Sequence, residues 1–294
     1  MRCAFLTMEE TAGWSIDADL AFPALERLGW TPEWLRWREP SVDWKSFDAA
    51  YLAATWDYPE DPDLFLATLE SIEHAGTVLV NSLDLVRWNL PKTYLRELEA
   101  SGVRIVPSRW FERFPDCDLA LEFERFSAER LIVKPVISTN ALNTFLLDRN
   151  SARQRSPALG AAFRERPFVV QPFMPAVQSE GEFSLFRIGE GFSHGILKRP
   201  KSGDFRVQEE YGAALRAVPV SGELEEAGQK ALDALPSRPL YARVDLVRDD
   251  AGRLCLMELE LIEPSLYLRM DDDAPERFAR AFDHHVRGRG RTAE

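Results

Sequence analysis

The sequence predicts an α/β protein whose C-terminal part is α+β. Three observations carry this expectation. Strand-like and helix-like segments alternate as far as Asn81. Two hairpin signatures follow, Gly189-Glu190-Gly191 and Asp249-Asp250-Ala251-Gly252, and these mark antiparallel pairing. All eight tryptophans lie between Trp14 and Trp110, a composition shift that sets off an N-terminal lobe. The expected lobes are residues 1–90, 91–170 and 171–294.

Each element has a local reason. Arg2–Thr7 reads as a strand. Ala18–Leu28 carries Leu20, Ala24, Leu25 and Leu28 at helical spacing, and Gly29 stops it. Asp48–Ala54 and Thr77–Asn81 are strands around a helix at Pro62–His74, whose stripe is Phe65, Leu69 and Ile72. A helix is expected over Pro91–Ala100, between a proline and Gly102. Val103–Val106, Leu131–Lys134 and Phe145–Leu147 read as strands, with a helix near Leu119–Phe126. Glu182–Ile188 pairs with Phe192–Lys198, and Tyr241–Arg248 with Arg253–Leu261. Helices at Gly222–Leu235 and Pro275–Val286 close the chain, and the basic residues from Arg287 onward are expected to fray.

Composition narrows the function. The chain has 294 residues, enough for two or three packed lobes, and is 45% hydrophobic and 29% charged. A net charge of −12 argues against nonspecific nucleic-acid binding, which needs surplus cations. No apolar run reaches the roughly 18–20 residues that span a bilayer. The N-terminus turns acidic at Glu9-Glu10, unlike a secretory signal. Cys3, Cys117 and Cys255 are odd in number and far apart, which suggests a reducing cytoplasm. A cytoplasmic protein without membrane or nucleic-acid partners is expected, and a homodimer is compatible with the sequence.

Charges placed on strands carry the chemistry. In Tyr241–Val247, Ala242, Val244 and Leu246 share an apolar face, and Arg243 and Asp245 point the other way. In the next strand Cys255, Met257, Leu259 and Leu261 are apolar, and Glu258 and Glu260 share the opposite face. If Arg248 pairs with Arg253, Arg243 falls opposite Glu258 with Asp245 diagonal to it. Carboxylates this close repel unless a cation sits between them, and oxygen-only ligands suit Mg²⁺ with nucleotide phosphates. A solvated sheet face on which Arg243 neutralises Glu258 fits the same spacing. Lys134 and Lys198 end apolar strands and Lys92 opens a helix. They are placed to meet phosphates, or to snorkel at sheet edges. If Ile188 pairs with Phe192, Glu182 opposes Lys198 and a plain cross-strand ion pair is open. Arg206, in the polar loop Lys201–Arg206, suits a bidentate grip on a carboxylate or acyl phosphate, or simple exposure.

In chain order these residues resemble the ATP-grasp superfamily, in its glutathione-synthetase-like branch. Gln171-Pro172-Phe173 resembles the linker that reads adenine, and Gly181-Glu182 the acidic ribose position. Leu197-Lys198-Arg199-Pro200, Gly203–Arg206 and Tyr211-Gly212 resemble the strand and loop over the triphosphate and acceptor. Arg243-Val244-Asp245 with Met257-Glu258-Leu259-Glu260 and Pro264-Ser265 resembles the metal core. Asn81, Trp88–Lys92 and Val133-Lys134-Pro135 resemble the lysine segments. Thr55-Trp56-Asp57-Tyr58 leans toward the cyclo-ligases that form D-cycloserine. The sequence departs from the family at three places. The segment Val136–Thr144 lacks the usual glycines, Glu260 replaces a common asparagine, and Ala53-Ala54 stand where related cyclo-ligases carry arginine.

The resemblance implies an ATP-grasp fold, in which the open α/β lobe precedes two α+β lobes that clamp ATP. It implies an ADP-forming ligase that joins a carboxylate to an amine through an acyl phosphate. The expected substrate is a small amino acid or a derivative, and the joining is open between two molecules and an intramolecular ring closure. Lys92, Lys134, Gln171, Phe173, Glu182 and Lys198 would hold ATP. Asp245, Glu258 and Glu260 would hold Mg²⁺, as two ions. Lys198, Arg206 and Arg243 would serve catalysis, and Thr55, Trp56, Asp57, Tyr58, Arg206 and Ser265 would orient the substrate. Ser138–Thr144 is the expected lid. A peptide-modifying ligase with a tryptophan-rich platform, an ATP-grasp kinase and a non-catalytic nucleotide-binding protein are the alternatives.

Overall fold

In the computed structural model, which describes residues 1–290, the chain forms three sheets. The first comprises β1 (Arg2–Thr7), β2 (Thr31–Arg36), β3 (Ala49–Ala54) and β4 (Val78–Leu79), all parallel, in the order β2-β1-β3-β4. β3 is buried along its whole length, as a central parallel strand covered on both faces should be. The helix Pro62–His74 covers one face; Asp61 caps it by accepting from the Leu64 amide at 3.1 Å.

The second sheet is antiparallel: β5 (Arg109–Phe111), β6 (Arg130–Pro135), β7 (Phe145–Asp148) and β8 (Phe168–Pro172), ordered β5-β8-β6-β7. The third contains β9 (Glu182–Ile188), β10 (Gly191–Arg199), β11 (Ala214–Val218), β12 (Tyr241–Arg248) and β13 (Leu254–Glu260), ordered β11-β10-β9-β12-β13. This is the ATP-grasp fold.

Several expectations need correction. Val103–Val106 is no strand: Ile105 makes one isolated bridge to Leu256, so the segment only skirts the edge of β13. The helix expected from Pro91 is regular only over Tyr94–Ala100, which leaves Lys92 in the preceding turn. Ala18–Leu28 divides into a 3₁₀ turn, Ala18–Ala21, and a short helix, Phe22–Arg27. The closing helix runs from Ala274 to Gly290, past the fraying expected from Arg287; residues 291–294 lie outside the described ones.

The tryptophans are largely packing anchors. Trp30, Trp37, Trp44 and Trp56 are buried, and the Trp30 indole donates to Asp283 at 2.9 Å on the closing helix. That contact belongs to a core in which Phe5 and Tyr51 of the first sheet meet Tyr241, Phe278 and Phe282. Two buried asparagines fasten the first lobe to the third sheet. Asn81 donates to the carbonyls of Tyr241 and Leu261 at 2.9 and 2.8 Å and accepts from the Leu240 amide at 2.7 Å. Asn89 likewise serves the Leu259 carbonyl and the Leu261 amide, each at 2.9 Å. Asn89 thus satisfies backbone groups at and just past the open edge of β13, and Asn81 ties the start of β12 to the residue that follows β13.

Candidate active site

One cleft lies where the three sheets meet. Lys92, Lys134, Gln171, Phe173, Glu182, Lys198 and Arg206 line it, with Arg243, Asp245, Glu258, Glu260 and Ser265. Trp56 and Tyr58 also face it. Thr55 and Asp57 do not. Thr55 is fully buried, and Asp57 accepts from the Trp37 indole at 2.6 Å and pairs with Arg38 at 3.5 Å. The alternation Trp56/Tyr58 against Thr55/Asp57 sends two side chains into the cleft and two into the lobe.

The hairpin β12–β13 pairs differently from the simple register. Arg248 faces Leu254, and a bulge at Met257 adds a further residue, so Arg243 opposes Glu260 and Asp245 opposes Glu258. The total slip is two residues, so both glutamates still face the cleft. Met257 does not share the face of Leu259. It lines the cleft, and Cys255 packs with Val247 beside it. The bulge thus sets Met257 and Glu258 on one side together.

Each inward carboxylate of the centre is met by a cation. Lys198 Nζ lies 2.5 Å from Glu182 and 3.4 Å from Asp245. Arg243 grips Asp245 at 3.0 Å and bonds Glu260, and Ser184 donates to Asp245. Lys92 Nζ stands 2.9 Å from Glu258 and donates to the Ser138 carbonyl at 2.7 Å. Lys134 Nζ lies 4.0 Å from Glu258. Burial works against charge on Asp245, but Arg243 and Lys198 outweigh it and hold its carboxyl below the usual range. Glu258 is held low in the same way by Lys92 and Lys134. Burial pulls the Lys134 ammonium below its ordinary value and pushes the Glu182 carboxyl above its own.

The glutamate that opens β9 depends on a glycine. Gly181 has φ +123°, and a Cβ there would stand 2.7 Å from the Lys198 carbonyl. Any side chain would push β10, and Lys198 with it, away from Glu182.

The loop after β6 turns without glycine: Asn140, Ala141 and Asn143 take left-handed backbone at φ 48°, 55° and 56°. Thr139 pins it to the first lobe by donating to the Trp56 carbonyl at 2.6 Å, and Tyr211 donates to the Asn140 carbonyl at 3.3 Å. Arg206 is held within its own loop, 2.7 Å from Asp204 and over the Tyr211 ring at 3.7 Å. The Asn140 amide nitrogen and the Gln208 amide oxygen are buried without a hydrogen-bond partner, although both residues line the cleft. Buried orphans of this kind are groups a ligand can satisfy.

Among the described residues no three His, Cys, Asp or Glu side chains converge as a ready metal cage. The donor set still fits Mg²⁺, which takes one or two carboxylates and completes its shell with phosphates and water. The apolar wall of the cleft, with Val106, Ile132, Phe173, Met174 and Met257, fits a flat aromatic base.

A family model described as the N-terminal domain of D-cycloserine synthetase DcsG matches residues 3–81. The cycloserine biosynthesis protein DcsG of Streptomyces lavendulae is 30% identical over 289 residues, covering 92% of this chain and 95% of that one. The chain belongs to the DcsG family. It is a ligase of the ATP-grasp fold. The crystal structure of D-cycloserine synthetase DcsG superposes with a TM-score of 0.84 at 28% identity, covering 97% of this chain and all of that one (100%). Two more distant structures share the fold. PsnB, an ATP-grasp ligase complexed with a precursor variant, Mg and ADP, matches at TM-score 0.66 and 17% identity, over 97% of this chain and 98% of its own. D-alanine–D-alanine ligase from Bacillus anthracis matches at 0.68 and 14%, over 98% and 96%.

In this DcsG-family chain the inward residues beyond those expected include Met257, Gln208, Tyr267 and Glu263. Glu263 carried a sequence signal, since an acid inside Leu261-Ile262-Glu263-Pro264 interrupts an apolar run. It is 5% exposed, and burial pushes its carboxyl well above the ordinary range. The folded protein therefore holds a proton there that the unfolded chain releases above its ordinary value, so this group's contribution to stability falls as pH rises. Glu263→Gln keeps the neutral form. The variant should gain on the parent with rising pH above about 4.5, by at most about 1.4 kcal/mol per pH unit. Urea denaturation of both proteins between pH 5 and 8 checks this, and parallel curves would refute it.

Proposed function

We propose that the chain is an ATP- and Mg²⁺-dependent carboxylate–amine ligase that works through an acyl phosphate. Its substrate is a small amino acid or derivative, closed into a ring within one molecule. The observation that supports this most is the cleft itself: lysines from β6, β10 and the Lys92 turn meet the carboxylates of β12 and β13 beside an apolar slot. Kinship with DcsG, whose name records D-cycloserine synthesis, supports the ring closure.

The chain's residues divide the work by position. Lys92, Lys134 and Lys198 would exchange their carboxylate partners for phosphate oxygens and set the triphosphate in line with the substrate carboxylate. Phe173 and the Gln171 segment would hold the base, and Glu182 the ribose. Asp245, Glu258 and Glu260 would hold Mg²⁺, which when bound neutralises charge that develops on the transferring phosphoryl group. Arg206 would leave Asp204 to steady the acyl phosphate, and Arg243 would stay on Asp245 and Glu260 to fix their direction. The substrate amine then attacks the acyl carbon and phosphate departs. The pinned loop Ser138–Thr144 would exclude water, which otherwise hydrolyses an acyl phosphate.

The test is an amino-acid panel with MgATP, read as ADP release, with product mass by spectrometry and hydroxylamine added to trap the acyl phosphate. A product lighter than its substrate by one water supports ring closure. A product that retains phosphate would make the protein a kinase. Lys134→Ala should weaken MgATP binding about tenfold or more by calorimetry, since a buried charged contact is lost. Unchanged affinity would remove Lys134 from the nucleotide site.

A further inference from the structure

Five carboxylates lie in the interior of the cleft: Glu182, Asp245, Glu258, Glu260 and Glu263. The first four each have a lysine or arginine within 4.0 Å. Among the described residues Glu263 has none, although it is 5% exposed and so has little water to replace one. Lys92 is already committed to Glu258 and the Ser138 carbonyl. Glu263 is also fixed in place. Its carbonyl accepts from the Trp56 indole at 3.0 Å, and Trp56 stacks on Trp14 with ring centroids 5.0 Å apart. Trp56 and Tyr58 present aromatic surface to the same cleft, and Ser265 follows two residues on. A buried, cation-free carboxyl group beside aromatic rings suits an ammonium group from outside the chain.

We propose that Glu263 recognises a protonated amine of the substrate, which makes the substrate an amino acid with its amino group free. This rests on the ligase reading only for the word substrate; the site itself is a matter of a buried carboxyl group that no lysine or arginine of the described residues meets, and an incoming ammonium group would take the place of its proton. A peptide side chain presented from within a precursor, with its backbone nitrogen acylated, would leave Glu263 unpaired and is disfavoured. Glu263 acts here as a binding group, and the attacking nitrogen is a separate one on the same substrate or its partner.

The experiment titrates D- and L-amino acids and their Nα-acetyl derivatives into the full chain by calorimetry, with and without Mg²⁺ and a non-hydrolysable ATP analogue. At least one free amino acid should bind about tenfold or more tightly than its acetylated form, the worth of a charge-assisted contact. Glu263→Gln should erase that preference, Glu263→Asp should restore part of it, and affinity for the Mg²⁺-bound analogue should hardly change in either. The proposal falls if no free amine binds, if acetylated forms bind as well, if the glutamine variant keeps the preference, or if its main loss is in affinity for Mg²⁺. Binding of a free amino acid without any ADP release from ATP would overturn the ligase reading and leave the role of Glu263 standing.

Discussion

Lys198→Met should cost about 3–5 kcal/mol of stability and abolish ADP formation. The lysine is 4% exposed and stands 2.5 Å from Glu182 and 3.4 Å from Asp245. Methionine fills its volume and removes its charge. Asp245 would keep Arg243 and Ser184. Among the described residues Glu182 has no other lysine or arginine within ion-pair distance, so a 5% exposed carboxylate would be left alone. Breaking a buried pair from one side costs about 3–5 kcal/mol because the stranded charge cannot be rehydrated. In a chain of this size that is a fall of roughly 5–15 °C in melting temperature.

The pH dependence gives this prediction a second edge. Burial already pushes the Glu182 carboxyl above its ordinary value, and loss of Lys198 pushes it further. A raised carboxyl keeps its stability contribution at low pH and loses it as pH rises. The deficit of Lys198→Met should therefore be smaller at pH 5, where Glu182 can take a proton, than at pH 8. Equal deficits at both values in guanidinium unfolding, or a deficit under about 1 kcal/mol, would mean that Lys198 is not the counter-charge of a buried carboxylate.

Fold and site were legible to different depths, and edges explain much of the difference. β1 and β3 show as apolar runs because both lie inside a parallel sheet. β2 and β11 are edge strands, partly exposed, so Thr31–Arg36 and Ala214–Val218 show no clean alternation. β8 is an apolar run whose Gln171-Pro172 end reads equally well as a linker. Inside the site, residue types were more legible than pairings. Glu258 and Glu260 face the cleft in either register, because a slip of two residues preserves side-chain direction. The bulge that produces part of the slip leaves no local mark, since Met257 is as apolar as Cys255 and Leu259, which strict alternation would place on its face. Asn81 and Asn89 sit among residues that resemble a phosphate-binding segment, but they spend their amides on the backbone of β12, β13 and the segments that flank them. Only tertiary contacts, at separations of 160 residues and more, reveal that role.

Glu258→Gln separates the nucleotide site from mere structure, because its two effects have opposite signs. Glu258 neutralises two buried lysines, 2.9 Å from Lys92 and 4.0 Å from Lys134. In the proposed site it thereby occupies the place that phosphate oxygens would take. Incoming ATP without metal would have to break those contacts and then face the displaced carboxylate. Glutamine removes the competing charge and frees both ammonium groups, so metal-free ATP should bind about tenfold or more tightly than to the parent. With Mg²⁺ the parent should lose this handicap, because in the proposed site Glu258 would be one of the residues that hold the metal, a role glutamine could not fill. Ligation should fall by at least about 10³-fold as the transferring phosphoryl group loses part of its charge compensation. Without nucleotide the variant should be less stable than the parent, and ATP should raise its melting temperature more than it raises the parent's, since the lysines lack a counter-charge until phosphate arrives. Calorimetry with ATP in EDTA and steady-state ADP release with Mg²⁺ supply the two readings. Weaker metal-free binding by the variant would mean that Glu258 does not compete with phosphate for these lysines. Turnover near the parent's would mean that the carboxylate has no part in the reaction.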